Sequence, residues 1–305
     1  MNETKPNQMA SSADGVLIID KPAGMTSHDV VARVRKILKT RRVGHTGTLD
    51  PFATGVLVVC VGRATRLSQF LTGDDKEYLA TMRLGFATDT GDLTGQPLEP
   101  LADARHITPE TVEDAMELFR GRIQQTPPMY SAKKVGGVKL YEMARRGEEI
   151  ERTPVEVEIK ELELSGTTEI REDLTRDFSF RVVSSSGTYI RTLAEDIGRR
   201  LGVGAHLVAL RRTRAGNFGV ERAQTPDKLA ESATVRLIPM ADALSFPTVQ
   251  LNEEEGKAVR YGRSVLRHGN WRGGNRAKLC DINGELVAIA DLDPENCVWR
   301  PIVVL

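Results

Sequence analysis

Apolar residues recur with two different periods along the chain, and the switches between them mark its elements. Gly15-Val16-Leu17-Ile18-Ile19-Asp20 and Val56-Leu57-Val58-Val59-Cys60-Val61 are short, unbroken runs rich in β-branched residues, the pattern of buried strands. Lys76 to Leu84 alternates instead, with Tyr78, Ala80, Met82 and Leu84 on one face. Val155, Val157 and Ile159 alternate within Thr153 to Gly166, and Phe178, Phe180 and Val182 do so shortly after. Their proximity predicts antiparallel neighbours. Helical spacing appears at Val30, Val31, Val34, Ile37 and Leu38, behind Thr26-x-x-Asp29, a capping box with Asp in place of the usual Glu or Gln. It returns at Val112, Ala115, Met116 and Phe119 behind Thr108-Pro109, and at Ile190, Leu193, Ala194, Ile197 and Leu201. Shorter helices are expected over Ala64 to Leu71, from Tyr141, and over Asn252 to Arg263.

One stretch fits neither period. Gly44-His45-Thr46-Gly47-Thr48-Leu49-Asp50-Pro51-Phe52-Ala53-Thr54-Gly55-Val56-Leu57 sets three glycines and a proline around one carboxylate and one imidazole. Gly and Pro cost too much for this to be a helix interior. It reads as a tight loop that presents Asp50 and runs straight into a strand, a place where catalytic groups are often held. A plain Asp-Pro turn is the commoner reading of the residues alone. Asp89-Thr90-Gly91-Asp92, in the polar segment Phe86 to Pro100, lacks calcium-loop spacing and is expected to be a solvated turn.

From Pro247 the character changes, with Lys257, Arg260, Arg263, Arg267, Arg272, Arg276 and Lys278 recurring. Ile282-Asn283-Gly284-Glu285 carries a two-residue hairpin signal between two short apolar runs. The division is therefore a polar tail at 1–14, expected to be disordered, a large domain with its connecting segment at 15–246, and a small β-rich module at 247–305. Trp271 and Trp299 are expected in the core of that module rather than as base-stacking groups.

Composition narrows the chemistry. The chain has 305 residues, 40% hydrophobic, with 42 basic and 42 acidic side chains and no net charge. A nucleic-acid partner must therefore be met by clustered rather than bulk charge. Arg33, Arg35, Lys36, Lys39, Arg41 and Arg42 cluster on the first helix and its exit, where they complement the helix dipole and equally suit a phosphate-rich substrate. Lys133, Lys134 and Lys139 follow the proline loop at Gln125 to Pro128 and suit a phosphate backbone too. No run approaches the roughly 18 apolar residues of a membrane span. Cys60, Cys280 and Cys297 are scattered without a C-x-x-C pair, fitting a cytoplasmic protein without zinc. The five histidines show no metal spacing.

The Asp50 loop resembles the active-site segment of the TruB family, the bacterial tRNA pseudouridine-55 synthases, through its G-H-x-G-x-L-D-P-x-A-x-G-x-L pattern. Lys76-x-Tyr78, the P-x-x-Y-S-A-x-K segment at Pro127 to Lys134, Ser-x-Gly-Thr-Tyr-Ile-Arg-Thr at 185–192 and Gly204-Ala205-His206-Leu207-Val208-Ala209-Leu210-Arg211-Arg212 follow in family order. The resemblance implies an α+β pseudouridine synthase fold: a mixed, mainly antiparallel central sheet with flanking helices, and a small C-terminal PUA-like RNA-binding module. It implies an isomerase that flips a T-arm uridine out of tRNA and rejoins the uracil through C5, with no metal, no redox or small-molecule cofactor and no membrane partner, in a chain expected to be a monomer. It carries Asp50 over as the catalytic carboxylate, Arg191 as its cationic partner and Tyr78 as the aromatic that stacks on the base. His45 fills the gap the base leaves, Tyr189 and Leu210 wall the pocket, and Lys21 and Arg66 are weaker carry-overs as RNA contacts. A neighbouring guanidinium would favour the ionised carboxylate. The sequence does not choose between attack at C1′, attack at C6 and removal of the C2′ proton.

Two other classes compete. A non-catalytic RNA-binding protein would keep the cleft but modify nothing. A glycosidase would need a second carboxylate about 5–10 Å away, and the motif offers none nearby. A dinucleotide enzyme is disfavoured, since neither G-x-G-x-x-G between strand and helix nor a P-loop occurs.

Overall fold

The computed structural model describes residues 14–305 apart from Ala132, Arg145, Glu149, Thr167, Thr168, Asn270 and Arg272. The expected tail (except Asp14) and Arg272 lie outside the described residues. So do the side chains of Lys134, Val135, Lys139 and Glu169.

In the first part of the chain, β1 is Gly15–Lys21, α1 Ser27–Leu38, β2 Val43–His45, β3 Thr54–Val61 and β4 Lys76–Leu84. They are followed by α2 Pro109–Glu117, β5 Gly121–Gln125, β6 Val155–Leu164, β7 Arg176–Ser184, α3 Ile190–Leu201 and β8 Ala205–Ala215. One continuous sheet path runs β1-β3-β8-β4-β7-β6-β5, with β2 beside β3. Every neighbouring pair on it is antiparallel except β3 and β8. This is the mixed, mainly antiparallel sheet that the resemblance implied. A second, five-stranded sheet contains β9 Thr248–Gln250, β10 Val265–Leu266, β11 Arg276–Cys280, β12 Leu286–Asp293 and β13 Val298–Val304, with α4 Glu253–Arg260 packed on it.

The unbroken apolar runs follow from burial on both faces. Leu17, Ile19, Leu57 and Val59 of β1 and β3 pack on Val30 and Val34 of α1. The alternate residues Val16, Ile18, Val56 and Val58 join Leu67, Phe218, Leu286, Ile289 and Val303, so the second sheet closes the other side. By contrast β4 and β7 alternate because only one face is covered. Tyr78, Met82, Phe178 and Phe180 pack under Val112, Met116, Leu193 and Ile197 of α2 and α3. The outer face carries Arg83 bidentate to Asp177 at 2.7 and 2.8 Å, and Arg181 on Glu77 and Glu161.

Local signals hold with small changes. Asp29 N donates to Thr26 Oγ1 at 3.1 Å and Thr26 N to Asp29 Oδ2 at 2.8 Å, so Asp completes the box as Glu would. Ala64 to Leu71 begins as a 3₁₀ turn and becomes α-helical at Ser68. The hairpin at Gly284 forms, but not with two loop residues. Asp281 N donates to Glu285 O, Gly284 N donates to Asp281 O, and Gly284 takes φ 80°. Glycine supplies the left-handed residue of a three-residue turn there. Trp299 is fully buried and meets Trp271 edge-on with ring centroids 5.0 Å apart, the core role expected of both.

Candidate active site

Asp50 sits between two sets of staples. On its N-terminal side Leu49 N donates to Ser27 Oγ at 2.9 Å, and Arg212 Nη2 donates to Gly47 O at 3.0 Å. On its C-terminal side Gly24 N and Lys21 Nζ donate to Pro51 O at 2.8 and 3.2 Å. Arg212 Nε also grips Val56 O at 2.6 Å. The strand then starts at Thr54, and its second residue, Gly55, has φ 101°, where a Cβ would stand 2.1 Å from Arg212 O. Only glycine meets both demands. A loop without regular structure is thereby held by charge-assisted bonds to its own carbonyls.

The carboxylate meets Arg191 in a fork. Arg191 Nε lies 2.9 Å from Asp50 Oδ2, and Nη2 donates to Oδ1 at 3.3 Å. Nη1 donates to Thr90 O and Nη2 also to Tyr130 O, each at 2.6 Å. A side chain at the start of α3, electrostatically a poor place for a cation, is thus 5% exposed and held by one carboxylate and two carbonyls. Asp92 Oδ2 stands 3.6 Å from Nη1 as a second counter-charge. Burial pushes the Asp50 carboxyl above its ordinary value, Arg191 and Lys21 pull it back, and Asp92 adds to the push. The guanidinium therefore acts in the expected direction, but desolvation outweighs it. A partly desolvated carboxylate held by a fixed fork is a stronger base and nucleophile than one in water.

Asp50 and Arg191 line a cavity of about 450 Å³ together with Tyr78, Ser131, Tyr189 and Leu210. Tyr78 is 8% exposed on β4, and Leu210 is 7% exposed on β8. Tyr189 is fixed by Gln125, whose Oε1 accepts from Tyr189 N at 2.8 Å and whose Nε2 donates to Tyr189 O at 3.0 Å. Lys133 reaches this lining, while Lys134 and Lys139 carry no described side chain.

Three predicted contacts stand elsewhere. His45, on β2, is outside the lining and meets His28 edge-on at 5.6 Å; burial lowers its pKa to about 4, so it is a neutral ring at neutral pH. Lys21 is fully buried and donates to Pro22 O, Met25 O and Pro51 O, which uses all three of its protons. It positions the loop and has none left for a phosphate. Arg66 donates to Val304 O and ties the first part of the chain to the second sheet.

Sequence reasoning missed several members. Lys76 and Arg212 both line the cavity and are buried on backbone carbonyls, with Lys76 lowered to about 8 by burial. Asp92 was expected in a solvated turn and is instead 4% exposed. Its Oδ1 accepts from Thr90 Oγ1, Thr94 N and Thr94 Oγ1. Polar composition suggested solvent; the bonds inside the loop are what make burial tolerable. A second carboxylate therefore does lie near Asp50, contrary to expectation. Yet its Oδ1 is taken up by its own loop, its Oδ2 faces Arg191, and it is not part of the cavity lining, so it is not offered as a glycosidase partner. Among the described residues no cluster of three His, Cys, Asp or Glu is placed to hold a metal, and no helix is long and apolar enough to cross a membrane.

Comparison with known proteins is consistent along the chain. Residues 35–190 match the model of the TruB family pseudouridylate synthase N-terminal domain, and residues 191–240 match that of the tRNA pseudouridylate synthase B C-terminal domain. The tRNA pseudouridine synthase B of Mycobacterium tuberculosis (strain ATCC 25618 / H37Rv) is 44% identical over 298 residues, 97% of each chain. That of Thermobifida fusca (strain YX) is 49% identical over 281 residues, 92% of this chain and 94% of its own. A chain from an H/ACA ribonucleoprotein solved with a substrate RNA containing 2′-deoxyuridine superposes with a TM-score of 0.70 at 28% identity, covering 95% of this chain and 84% of that one.

Proposed function

The chain belongs to the TruB family of pseudouridylate synthases, and from that premise we propose how its cavity isomerises a uridine of tRNA to pseudouridine. The enzyme class is isomerase. Within it, we assign the T-arm uridine at position 55 as the substrate and Asp50 as the catalytic carboxylate.

The observation that carries this reading is the Asp50–Arg191 fork on the wall of a cavity that also contains Tyr78. A uridine stacked in an RNA arm must leave its stack before its C1′ and C6 can be reached. Tyr78 supplies the ring on which the flipped uracil stacks, and Tyr189 and Leu210 close the walls around it. His45, neutral at working pH, fills the space left in the RNA without titrating. Asp50 acts as carboxylate on the nucleoside while the N1–C1′ bond breaks. The uracil turns within the closed walls, the C5–C1′ bond forms, the C5 hydrogen leaves as a proton and N1 takes one up. Atoms balance without an external reagent, so the protein's task is orientation and exclusion of water. Arg191 fixes the carboxylate's direction, and its fork keeps Asp50 in place while charge on it changes. We take the protein to be a monomer working where tRNA is, in the cytoplasm.

The test is tritium release from unmodified tRNA carrying 5-tritiated uridine, for wild type and Asp50→Ala. Release by wild type alone, mapped to the T arm, is the expected result. A folded wild type that binds tRNA and releases nothing would favour the RNA-binding reading instead.

A further inference from the structure

We propose that His206 is a positioning residue for the Asp50–Arg191 pair, acting through the loop that carries Thr90 and Asp92; the inference rests on the catalytic reading of that pair. His206 stands on β8, 3% exposed, and its Nδ1 lies 3.0 Å from Phe86 O. A carbonyl can only accept, so Nδ1 carries the hydrogen, which fixes the tautomer. The imidazole also packs on the Phe86 ring with centroids 4.6 Å apart. The next residue on the strand, Leu207, donates its N–H to Gly91 O at 3.0 Å. Two consecutive residues of one strand therefore pin both ends of the segment from Phe86 to Gly91.

That segment delivers one of the four partners of the Arg191 guanidinium, and the residue that follows it delivers a second. Thr90 O accepts from Nη1, and Asp92 Oδ2 faces the same nitrogen. Gly91 lies against Arg191 directly, with an added Cβ standing 3.3 Å from the Arg191 Cβ. Beyond Asp92 the loop is closed by Thr94, whose N and Oγ1 both donate to Asp92 Oδ1. Of the two pins from β8, Leu207 uses backbone and is insensitive to side-chain substitution. His206 is the one that a substitution can release. Freeing Phe86 O lets the loop shift, and Arg191 then loses the reference that aims its fork at Asp50.

His206→Phe keeps the ring contact with Phe86 and removes the donor. His206→Asn keeps a donor near the Nδ1 position and removes the ring. Single-turnover pseudouridine formation with enzyme in excess, together with tRNA affinity, separates chemistry from binding. The expected result is a rate lower by about 10-fold or more in H206F, with Kd unchanged, and a rate within about 3-fold of wild type in H206N. Adding H206F to Asp92→Asn should cost little further, because both act on the same contact. Thr94→Val, at an exposed position on the far side of the loop, should slow the same step without touching β8, and it decides the matter if H206F does not fold. A wild-type rate in H206F or in T94V, equal losses in H206F and H206N, or full multiplication of the H206F and D92N losses would overturn the proposal. Wild-type turnover is the reference throughout: its absence would sink the catalytic reading itself, whereas variant rates against an active wild type speak only to His206.

Discussion

At the scale of single residues the site separates groups that face the cavity from groups that hold those groups still. Arg191→Lys keeps the charge and loses the fork, since one ammonium cannot span both carboxylate oxygens and still serve Thr90 O and Tyr130 O. Its single-turnover rate should fall by about 100-fold or more, with tRNA affinity little changed. The pH profile gives a second check. Asp50 acts as the carboxylate, and its pKa is raised above the ordinary 3.8. The rate should therefore decline on acidification at a pH higher than an unperturbed aspartate would give, and a limb at or below the ordinary value would contradict the burial described. Lys21 offers a stability test of opposite chemistry. Its folded pKa is lowered from 10.5 to about 8, so between those values the unfolded chain binds the extra proton. Stability contributed at this position therefore rises with pH across that window. Urea melts of wild type against Lys21→Met should diverge as pH goes from about 8 to about 10. Asp50, Arg191, Tyr78, Tyr189 and Leu210 were legible as site residues because each stands in a short motif of the chain. Asp92 was not, because the donors that bury it come from Thr90 and Thr94 of its own loop, and Arg212, though inside the last motif, drew no role because its partners are the backbone carbonyls of Gly47 and Val56.

At the scale of elements, most of the local structure could be read directly. The capping box at Thr26 and Asp29, the proline start of α2 and the alternation of β4 and β7 all act within a few residues of one another. What periodicity could not supply was the order of strands. The one parallel contact, β3 against β8 at Thr54 and Gly55, brings the Asp50 loop beside Arg212. Gly55 is the hinge of that arrangement. Gly55→Ala demands φ 101° of a residue with a Cβ and drives that Cβ into Arg212 O. It should cost well over 1 kcal/mol in urea unfolding, roughly the ceiling for a strain-free glycine change, and lower activity beyond what lost folded protein explains. A fully active, equally stable G55A would mean that the strand start is not fixed as described.

For the whole molecule, charge balance hid the partner: equal numbers of acids and bases gave no sign of RNA. On the second sheet, Arg260 is paired with Asp281 and His268 with Glu255, whereas no acidic partner is described for Arg263 or Arg267. Replacing both with Ala should weaken tRNA binding and flatten its dependence on log salt by about 1 to 2, with turnover of bound tRNA unchanged. Affinity unaltered at every salt concentration would remove this surface from the RNA contact. The second sheet was legible as β-rich but not in its attachment, since Cys280, Leu286, Ile289 and Val303 look like any small core until they are seen against Val16, Val58 and Leu67.

That shared cluster also bears on how the protein is made. One face of β1 is closed by α1, which follows it at once in sequence; the other is covered in stages, by Ala64 and Leu67, then by Phe218 and Met240, and last by Leu286, Ile289 and Val303. A ribosome therefore makes most of the chain before the cover over Val16 and Ile18 is complete. Until then part of an apolar face stays open, and a holding chaperone has a binding site there that closes when β12 and β13 dock.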